Sequence, residues 1–428
     1  MKTIIVHKRH CLKGEFYPPG DKSISHRAII LGSIAQGTTQ VTNFCPGDDT
    51  LRTIQAFQSL GVEIEGGGTE YTVFGKGLRG LKEPEDVIDA GNSGTTTRLM
   101  TGLLSGQHFF SVITGDASLR KRPMKRVTEP LRAMGAQIDG RGDGNYAPLT
   151  IRGGKLSPIE YQSPVASAQV KSALLLGGLY TDGITQVTEP TLSRDHTERM
   201  LKAMGATIER EGTTVRIKGF PSLEAFSLQI PGDISSAAFL VVGATLLPHS
   251  HIAVHNVGIN PLRTGVLEIL KQMGADITIT ESREQGGEPV ADLVVKSSFL
   301  KAVEISGDII PRIIDEIPIV AIAAAGAEGT TVIRDARELR VKETDRITAI
   351  VTGLQKFGVT VEEFADGMAI TGKEELKGSR VFSYGDHRIA MAFIIAGLIA
   401  SGETTVEDTE SIGTSFPDFT GVLDSLVE

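Results

Sequence analysis

The 428-residue sequence contains no tryptophan and only two cysteines, and aromatic residues make up 5% of it. Large aromatic recognition surfaces and a disulfide scaffold are therefore not expected. Cys11 and Cys45 form no C-x-x-C motif, which is typical of a reduced cytosolic protein. The N-terminal segment lacks the apolar core of a signal peptide and any apolar run of about 20 residues. We therefore expect a cytoplasmic protein without a membrane span.

The sequence also lacks an excess of positive charge, since 43 Lys and Arg residues oppose 52 Asp and Glu residues to give a net charge of −9. This balance argues against a general nucleic-acid or membrane-surface binder. An anionic small-molecule substrate remains compatible with it, because the field in a cleft depends on the few cations that line it. Glycine, in contrast, is abundant at 49 residues, which favours tight turns and close backbone packing.

One pattern occurs six times along the chain: an apolar helical run, a small polar turn, and a β-rich stretch. The six copies are RAIILGSIAQGTTQVTN, RLMTGLLSGQHFFSVIT, SALLLGGLYTDGITQVT, AAFLVVGATLLPHSHIAV, IPIVAIAAAGAEGTTVIRD and AMAFIIAGLIASGETTVED. Their strand-like ends begin at Gly37, Gly106, Gly183, His249, Gly329 and Gly402. This regular spacing predicts a structural repeat.

Five copies continue into a second helix that stops at a glycine, as in AMGAQID, and then into two strands. The sixth copy ends after its second helix, and residues 1–17 could supply its closing strands. We therefore predict two similar domains, one of residues 21–230 and one of residues 1–20 with 231–428. The chain would cross between them at PPGDKS and IPGDIS, whose Pro-Gly turns could absorb a hinge rotation.

The segments before the apolar helices contain small hydroxyl, Gly or Asx residues, which are typical helix N-caps. They are GDKSISHR, GNSGTTTR, SPVASAQVK, GDISSA, DIIPRIIDE and GDHRIA. Each alone is most simply an ordinary cap. Their repeated coupling to cations instead indicates anion sites, because helix N-termini carry unpaired N–H groups and partial positive charge. The cations in question are Lys22, Arg27, Arg98, Lys171, Arg312 and Arg388.

Two basic runs lie outside these helix starts. LRKRPMKR (119–126) is either a solvated surface or a phosphate clamp. In RVKETDRI (340–347), a helix would place Lys342 and Arg346 on one face, although a solvated helix face is the simpler interpretation. His249 and His251 have no evident third ligand, so no metal site is expected. No Walker A loop, Rossmann fingerprint, G-x-S-x-G elbow or kinase motif set is present.

Several of these motifs together resemble one family. GDKSISHRA, AGNSGTTTRLM, LRKRPM, SAQVKSALL, RVKETDRI and GDHRIAMA are similar, in order and spacing, to those of the 5-enolpyruvylshikimate-3-phosphate synthases. The resemblance covers essentially the whole chain. It implies an α/β fold of two similar domains, each of three βαβαββ repeats, with the active site in the interdomain cleft.

The resemblance also implies the substrates and their binding residues. Phosphoenolpyruvate would donate an enolpyruvyl group to shikimate 3-phosphate, without a cofactor. The residues expected to bind shikimate 3-phosphate are Lys22, Ser23, Arg27, Ser167, Ala168, Gln169, Arg194, Asp315 and Lys342. Those expected to bind phosphoenolpyruvate are Lys22, Gly94, Arg122, Gln169, Arg346 and Arg388.

The implied mechanism adds the 5-hydroxyl to C2 of the enol, protonates C3, and then eliminates phosphate. Asp315 would be the base at the hydroxyl and Glu343 the acid at C3, with Lys22 serving both ligands. The chain departs from one branch of the family at Thr414, where some members have a lysine, and at Ala168, which replaces a hydroxyl residue. The contact expected from a lysine at position 414 is therefore in doubt.

Two alternatives remain open from the sequence. A UDP-N-acetylglucosamine enolpyruvyl transferase shares the repeat architecture, but its reactive loop cysteine has no counterpart in LRKRPM. A non-catalytic phosphometabolite-binding protein would keep the basic residues and need neither Asp315 nor Glu343. A monomer with small-molecule substrates, and with no nucleic-acid or membrane partner, is expected in each case.

Overall fold

The computed structural model describes residues 2–372 and 375–428. Its strands are β1 (Thr3–His7), β2 (Lys13–Phe16), β3 (Thr38–Thr42), β4 (Glu63–Gly67), β5 (Glu70–Phe74), β6 (Ile88–Asp89), β7 (Phe110–Thr114), β8 (Gln137–Gly140), β9 (Tyr146–Arg152), β10 (Glu160–Gln162), β11 (Ile184–Thr188), β12 (Ile208–Glu211), β13 (Thr214–Lys218), β14 (Ser227–Gln229), β15 (His251–Gly258), β16 (Asp276–Gln285), β17 (Glu288–Lys296), β18 (Glu304–Ile305), β19 (Thr330–Ile333), β20 (Thr360–Glu363), β21 (Met368–Thr371), β22 (Arg380–Phe382) and β23 (Glu403–Glu407).

The α-helices are distributed along the whole chain between these strands. They are α1 (Lys22–Ser33), α2 (Asp48–Ser59), α3 (Gly94–Ser105), α4 (Lys125–Ala133), α5 (Arg141–Gly144), α6 (Ala168–Gly178), α7 (His196–Ala203), α8 (Ile234–Leu246), α9 (Gly265–Gln272), α10 (Ile310–Ile313), α11 (Ile317–Ala325), α12 (Arg346–Lys356), α13 (His387–Ile399) and α14 (Phe419–Leu426).

The chain folds into two compact units. Unit 1 contains the chain up to Pro19, then Pro231–Glu284 and Pro289–Glu428. Unit 2 contains Gly20–Ile230 together with Gln285–Glu288, the tip of the β16–β17 hairpin. Each unit has a hydrophobic core of its own. The inclusion of the hairpin tip in unit 2 is a feature that the repeat pattern does not indicate.

Unit 2 contains three four-stranded sheets of the same design, with strand orders β14-β3-β5-β4, β6-β7-β9-β8 and β10-β11-β13-β12. In each sheet the first strand runs parallel to the second, and the remaining neighbours are antiparallel. The edge strand of the first sheet, β14, comes from the end of unit 2, so the unit is closed by pairing its last strand with its first repeat.

Unit 1 repeats this design in the sheets β16-β17-β15-β2 and β18-β19-β21-β20, and it has a three-stranded sheet, β1-β23-β22. The predicted α/β fold of repeated βαβαββ units is confirmed. The prediction that residues 1–17 complete the sixth repeat is only half right. Strand β1 pairs antiparallel with β23 in that repeat, whereas β2 pairs parallel with β15 and supplies the first strand of the fourth repeat.

The first helix of each repeat is buried on nearly every side because it is surrounded by protein. All nine residues of α11, for example, are buried. In unit 2, helices α3 and α6 pack closely at Gly102, where an added Cβ would lie 2.0 Å from the carbonyl oxygen of Ala173. Only glycine allows this approach of the two backbones, and it brings the N-terminal turns of both helices together.

Candidate active site

Five of the six apolar helices begin at a side chain that caps the backbone. Asp21, Ser93, Ser167, Asp233 and Asp386 each accept a hydrogen bond from a backbone N–H in the first turn of their helix. The predicted N-caps are thus confirmed at these helices. The sixth segment, DIIPRIIDE, differs: it forms the short helix α10 and a turn before α11, whose N-cap residue Glu316 makes no side-chain cap bond.

The N-terminal turns of α3 and α6 meet at Gln169 in unit 2. The Gln169 side-chain oxygen accepts from Arg98 NH1 at 2.5 Å, and its amide nitrogen donates to the hydroxyl of Thr95 at 3.0 Å. Gln169 is therefore held in a fixed orientation by two residues of α3. Arg98, in turn, is buried with only 4% of its surface exposed.

Gly94, the first residue of α3, lies against two guanidinium groups. A Cβ at this position would be 2.8 Å from Arg98 NH1 and 3.4 Å from Arg122 NH1. Arg122 is buried, and its NH2 group donates to the side-chain oxygen of Asn92. Of the other basic residues of this run, Arg120 and Lys121 are exposed, and Lys125 and Arg126 are half-buried. The run is thus neither wholly surface nor wholly a clamp, because one member points inward.

Lys22, the first residue of α1, forms an ion pair with Asp49, whose Oδ2 lies 2.5 Å from Nζ. Both side chains are largely buried, with 16% and 11% of their surface exposed. Ser23 follows in the first turn, and its backbone oxygen accepts from Arg27 at 2.9 Å. The first two turns of α1 therefore contain two cations, Lys22 and Arg27.

Arg27 is fixed by further contacts inside unit 2. Its Nε donates to Thr197 Oγ1 at 2.6 Å and its NH2 to Ser172 Oγ at 2.9 Å. Burial lowers the pKa of Arg27 to about 10, and the positive charge of Arg194 acts in the same direction, while Glu198 opposes both. The guanidinium remains protonated at neutral pH.

Ser167 and Ala168 lie at the start of α6, where Ser167 is the N-cap and Ala168 the first helical residue. Lys171, one turn further on, does not face an anion site as the sequence suggests. Its Nζ is 2.8 Å from carboxylate oxygens of both Glu189 and Glu198, and its side chain is 1% exposed. The sequence interpretation of Lys171 as a ligand-facing cation is wrong, because the two glutamates already neutralise it.

In unit 1, Arg346 binds three carboxylates. Its Nε donates to Asp386 Oδ2 at 2.7 Å, its NH2 to Glu343 Oε2 at 2.7 Å, and its NH1 to Asp315 Oδ1 at 3.4 Å. The side chain is 1% exposed. Burial alone would lower the pKa of Arg346, but the three negative charges outweigh burial and raise the pKa above its ordinary value.

Asp315 also accepts from Lys342 Nζ at 3.2 Å. Residues 342–345 are not helical, since a short 3₁₀ helix ends at Val341 and α12 begins at Arg346. The prediction of a shared helix face for Lys342 and Arg346 is therefore wrong, as is the alternative of a solvated face. The two cations nevertheless meet, because both reach the same oxygen of Asp315.

Arg388, in the first turn of α13, lies beside the residues that precede α11. Its NH1 donates to the backbone oxygen of Asp315 at 3.0 Å and lies 3.7 Å from Glu316 Oε1. The Glu316 carboxylate also accepts from the hydroxyl of Ser235, at the start of α8. The N-termini of α8, α11 and α13 are thus connected through Glu316.

Two other sequence expectations concern residues at the edge of this arrangement. Arg312 donates to Glu268 at 2.7 Å and to the backbone oxygen of Pro261 at 2.9 Å, so it is occupied on the surface of α10 instead of facing an anion site. The hydroxyl of Thr414 donates to the backbone oxygen of Ser411 at 2.8 Å. A neutral side chain in a 3₁₀ helix thus stands at position 414.

Sequence reasoning missed several carboxylates that hold the cations. Asp49, Glu189, Glu198 and Asp386 are all buried or nearly so, and each pairs with a basic residue distant in sequence. Asp386 could have been found, because it precedes Arg388 in a motif with a helix cap. The other three give no local signal, since only the tertiary fold brings them to their partners.

Neither a membrane span nor a metal site is found in the described residues, 2–372 and 375–428. No helix in these ranges is long and apolar enough to cross a membrane. Within the same ranges, no group of three or more His, Cys, Asp or Glu side chains is arranged to hold a metal ion.

Comparison with known proteins was made for sequence and for structure. The family profile of EPSP synthase (3-phosphoshikimate 1-carboxyvinyltransferase) matches residues 6–423. A 3-phosphoshikimate 1-carboxyvinyltransferase of Desulforamulus reducens is 56% identical over 99% of both chains, and one of Geotalea daltonii is 58% identical over 96% of both. A solved EPSP synthase structure from Acinetobacter baumannii superposes with a TM-score of 0.88 at 49% identity, covering 99% of this chain and 98% of the other.

Proposed function

Because the chain belongs to the EPSP synthase (3-phosphoshikimate 1-carboxyvinyltransferase) family, we propose that the cations at its helix N-termini bind the two anionic substrates of that reaction. The enzyme transfers the enolpyruvyl group of phosphoenolpyruvate to the 5-hydroxyl of shikimate 3-phosphate and releases phosphate, a step of aromatic amino acid biosynthesis. Both substrates carry a phosphate and a carboxylate, and lysine and arginine side chains are the groups that bind such anions most strongly.

The subsite for shikimate 3-phosphate requires partners for both of these anionic groups. Arg27, held by Thr197 and Ser172, and Arg194 supply two guanidinium groups in unit 2. Asp315 is the acceptor for the reacting hydroxyl in this assignment. The full proposed set is Lys22, Ser23, Arg27, Ser167, Ala168, Gln169, Arg194, Asp315 and Lys342.

Phosphoenolpyruvate carries its carboxylate and its phosphate close together on three carbons, and planar guanidinium groups bind such oxygens in pairs. Arg122 supplies one guanidinium beside Gly94, where the missing side chain leaves room at the start of α3. Lys22 supplies a point charge to the phosphate. The full proposed set is Lys22, Gly94, Arg122, Gln169, Arg346 and Arg388.

In the addition step, Asp315 accepts the proton of the 5-hydroxyl as the oxygen bonds to C2, and Glu343 gives a proton to C3. The π electrons of the enol form the new C3–H bond. In the elimination step, C3 returns its proton to Glu343, the double bond re-forms, and the C2–O bond to phosphate breaks. Phosphate leaves with the proton held by Asp315, so both carboxyl groups are restored. Lys22 stabilises the charge that develops on the departing phosphate.

One observation carries the assignment of these two carboxylates. Asp315 and Glu343 both accept from the single buried guanidinium of Arg346. A shared cation fixes their mutual position, so one carboxyl group can act on the 5-hydroxyl while the other acts on C3. Negative charge placed there stabilises the cationic character that C2 acquires when C3 is protonated.

UDP-N-acetylglucosamine, the alternative acceptor, is disfavoured by the positions of the cysteines as well as by the names of the similar proteins. An enolpyruvyl transferase that used a reactive loop cysteine would need an exposed thiol, whereas Cys11 and Cys45 are both buried. The test is phosphate release from phosphoenolpyruvate with either shikimate 3-phosphate or UDP-N-acetylglucosamine. Release with the first acceptor only is expected. Phosphate release with UDP-N-acetylglucosamine only would contradict the assignment of shikimate 3-phosphate as the acceptor. Release with neither compound would favour a non-catalytic binding protein.

We propose further that the enzyme acts as a cytoplasmic monomer without a metal or organic cofactor and without a nucleic-acid partner. Cys11 and Cys45 form no disulfide, which suits a reducing compartment, and a net charge of −9 disfavours nucleic acid. Light scattering at micromolar concentration should give the monomer mass of 45.6 kDa. Enzyme dialysed against a chelator should keep its full turnover.

A further inference from the structure

A buried ionic cluster of Lys171, Glu189 and Glu198 lies next to the first turns of α6 in unit 2. The ammonium of Lys171 has three acceptors, Glu189 Oε2 at 2.8 Å, Glu198 Oε1 at 2.8 Å and the backbone oxygen of Ser193 at 3.2 Å. The side chains of Lys171 and Glu189 are each 1% exposed. Burial would lower the pKa of Lys171, but Glu198 and Glu189 outweigh burial and raise it, so Lys171 is protonated at neutral pH.

Helix α6 does not need this ionic cluster for its stability. The residues that follow in α6, Leu174, Leu175 and Leu176, are buried and apolar. Removing three charges from water is costly, and well-packed apolar side chains often stabilise a core as well or better than a buried ion pair. The cluster therefore calls for an explanation in terms of the groups that it holds in place.

Glu189 holds two segments that carry proposed ligand residues. It follows β11 directly, and its Oε1 accepts from the backbone N–H of Ser167 at 2.9 Å and from the hydroxyl of Ser193 at 2.6 Å. Ser167 caps α6, and Ser193 precedes Arg194. One carboxylate thus joins the loop before α6 to the turn before α7, and Lys171 fixes that carboxylate from behind.

Residues next to the cluster hold Arg27 in place, as Glu189 holds the segments of Ser167 and Ser193. The guanidinium of Arg27 is bound by Ser172, which follows Lys171, and by Thr197, which precedes Glu198. The two hydroxyl groups also bond to each other, 2.7 Å apart. The ion pair of Lys171 with Glu198 ties α6 to α7 at the level of these two hydroxyls.

We propose that Glu189, fixed by Lys171, is a positioning residue of the subsite for shikimate 3-phosphate, setting the places of Ser167 and Arg194. This inference rests on the proposed function and deepens it. Glu189 does not touch the substrate. Its loss frees the cap of α6 and the turn carrying Arg194, whereas Gly94 and Arg122, proposed for phosphoenolpyruvate, belong to the start of α3 and to the segment before α4.

The test compares Glu189→Ala with Glu189→Gln, because glutamine keeps an oxygen that can accept from Ser167 and Ser193, whereas alanine keeps none. The Michaelis constants of both substrates and the affinity for shikimate 3-phosphate by calorimetry are measured. Glu189→Ala should raise the KM for shikimate 3-phosphate at least about tenfold, as expected for the loss of the hydrogen bonds from Ser167 and Ser193 and of the ion pair with Lys171. The KM for phosphoenolpyruvate should change less than about twofold, and Glu189→Gln should recover most of the loss.

A control separates positioning from a general loss of stability. Val215→Ala shortens a fully buried side chain on β13 of the same sheet and should lower the melting temperature without changing either KM. Equal increases of both KM values in Glu189→Ala, or a failure of glutamine to rescue, would overturn the proposal. So would an unchanged KM for shikimate 3-phosphate. If Glu189→Ala does not fold, Lys171→Met is measured in the same way and should give the same one-sided effect.

The wild-type protein is assayed first, so that a failure of the proposed function can be distinguished from a failure of the positioning role of Glu189. A wild-type protein that releases no phosphate from phosphoenolpyruvate and shikimate 3-phosphate contradicts the proposed function. An active wild-type protein with a Glu189→Ala variant of unchanged substrate constants contradicts only the positioning role.

Discussion

Arg346 and Asp386 form a two-point contact in the interior of unit 1: Nε donates to Oδ2 at 2.7 Å and NH2 donates to Oδ1 at 3.3 Å. The Asp386 side chain is fully buried, and it also caps α13 through the backbone N–H of Arg388. The orientation of the guanidinium is therefore set by the helix start, and its remaining donors are aimed at Asp315 and Glu343. A fixed guanidinium binds a carboxylate or phosphate without first having to be ordered.

Replacing Arg346 with lysine should separate charge from geometry. A lysine keeps the positive charge but is shorter and lacks the planar fork of donors, so it cannot keep the two-point contact with Asp386 while reaching Glu343 and Asp315. We expect kcat/KM for phosphoenolpyruvate to fall at least about 100-fold and the free energy of unfolding to fall by about 2 kcal/mol. Steady-state kinetics and urea denaturation measure the two effects.

The control is Arg340→Lys, which changes another arginine of the same segment. Arg340 binds Asp345 and Glu363 and is 25% exposed. We expect this variant to keep kcat/KM within about threefold of the wild type, because exposed ion pairs contribute little. Similar losses in both variants would contradict a specific role for Arg346.

The repeat architecture could be predicted from the sequence because its determinants are local. Apolar helical runs recur in all six cassettes, whereas glycine stops and capping residues such as Ser93 and Asp386 recur in five of them. The partner of strand β2 could not be predicted, because a strand of four residues carries no information about its neighbour. Its pairing with β15 is decided by the packing of the whole unit.

The ionic partners of the site could not be predicted in the same way. The repeated cations at helix starts indicate anion sites, yet Lys171 is bound inside the fold by two glutamates that lie 18 and 27 residues later. The charge pattern of RVKETDRI is typical of a solvated helix. Residues 342–345 instead form a turn, and Arg346 after them is buried. The charge pattern alone does not show which carboxylates of the folded chain bind Arg346.

Arg122→Ala tests the inward-facing member of the basic run. The variant loses one charge-assisted pair of hydrogen bonds, so the dissociation constant of phosphoenolpyruvate should rise about 10- to 100-fold. The dissociation constant of shikimate 3-phosphate should change less than about threefold. Calorimetry with each substrate gives both constants. Arg120→Ala, which removes an exposed arginine two residues away, is the matched control and should alter neither constant. Equal losses for the two substrates in Arg122→Ala would refute the assignment.

His255 should make a small, pH-dependent contribution to the stability of unit 1. Its hydrogen bond to Asp292 raises its pKa, burial opposes this, and a second hydrogen bond to Glu15 adds to the increase. Because the folded pKa lies above the ordinary value of 6.5, the stabilisation is fully present below about pH 6.5 and is lost as the pH rises through the folded pKa. We expect about 1 kcal/mol or less, since the ring is partly exposed.

The measurement is the free energy of unfolding of the wild type and of His255→Gln between pH 5 and pH 9, at fixed ionic strength. The difference between the two should be largest at the acidic end and should vanish at the alkaline end. His251→Gln, which changes an exposed histidine of the same strand, should follow the wild type throughout. A difference that grows with pH would show that the sign of the coupling is wrong.

Glu343→Gln tests proton transfer to C3 with little change in the surrounding structure. The amide oxygen of glutamine can still accept from Arg346 NH2, so Arg346 should keep its place and both substrates should bind nearly as in the wild type. Turnover should fall at least about 100-fold, the range expected when a general acid is lost. Glu363→Gln makes the same change at a carboxylate that binds Arg340 and should leave turnover unaltered. Normal turnover in Glu343→Gln would remove Glu343 from the proton-transfer step, and a parallel loss of substrate affinity would show that it acts in binding instead.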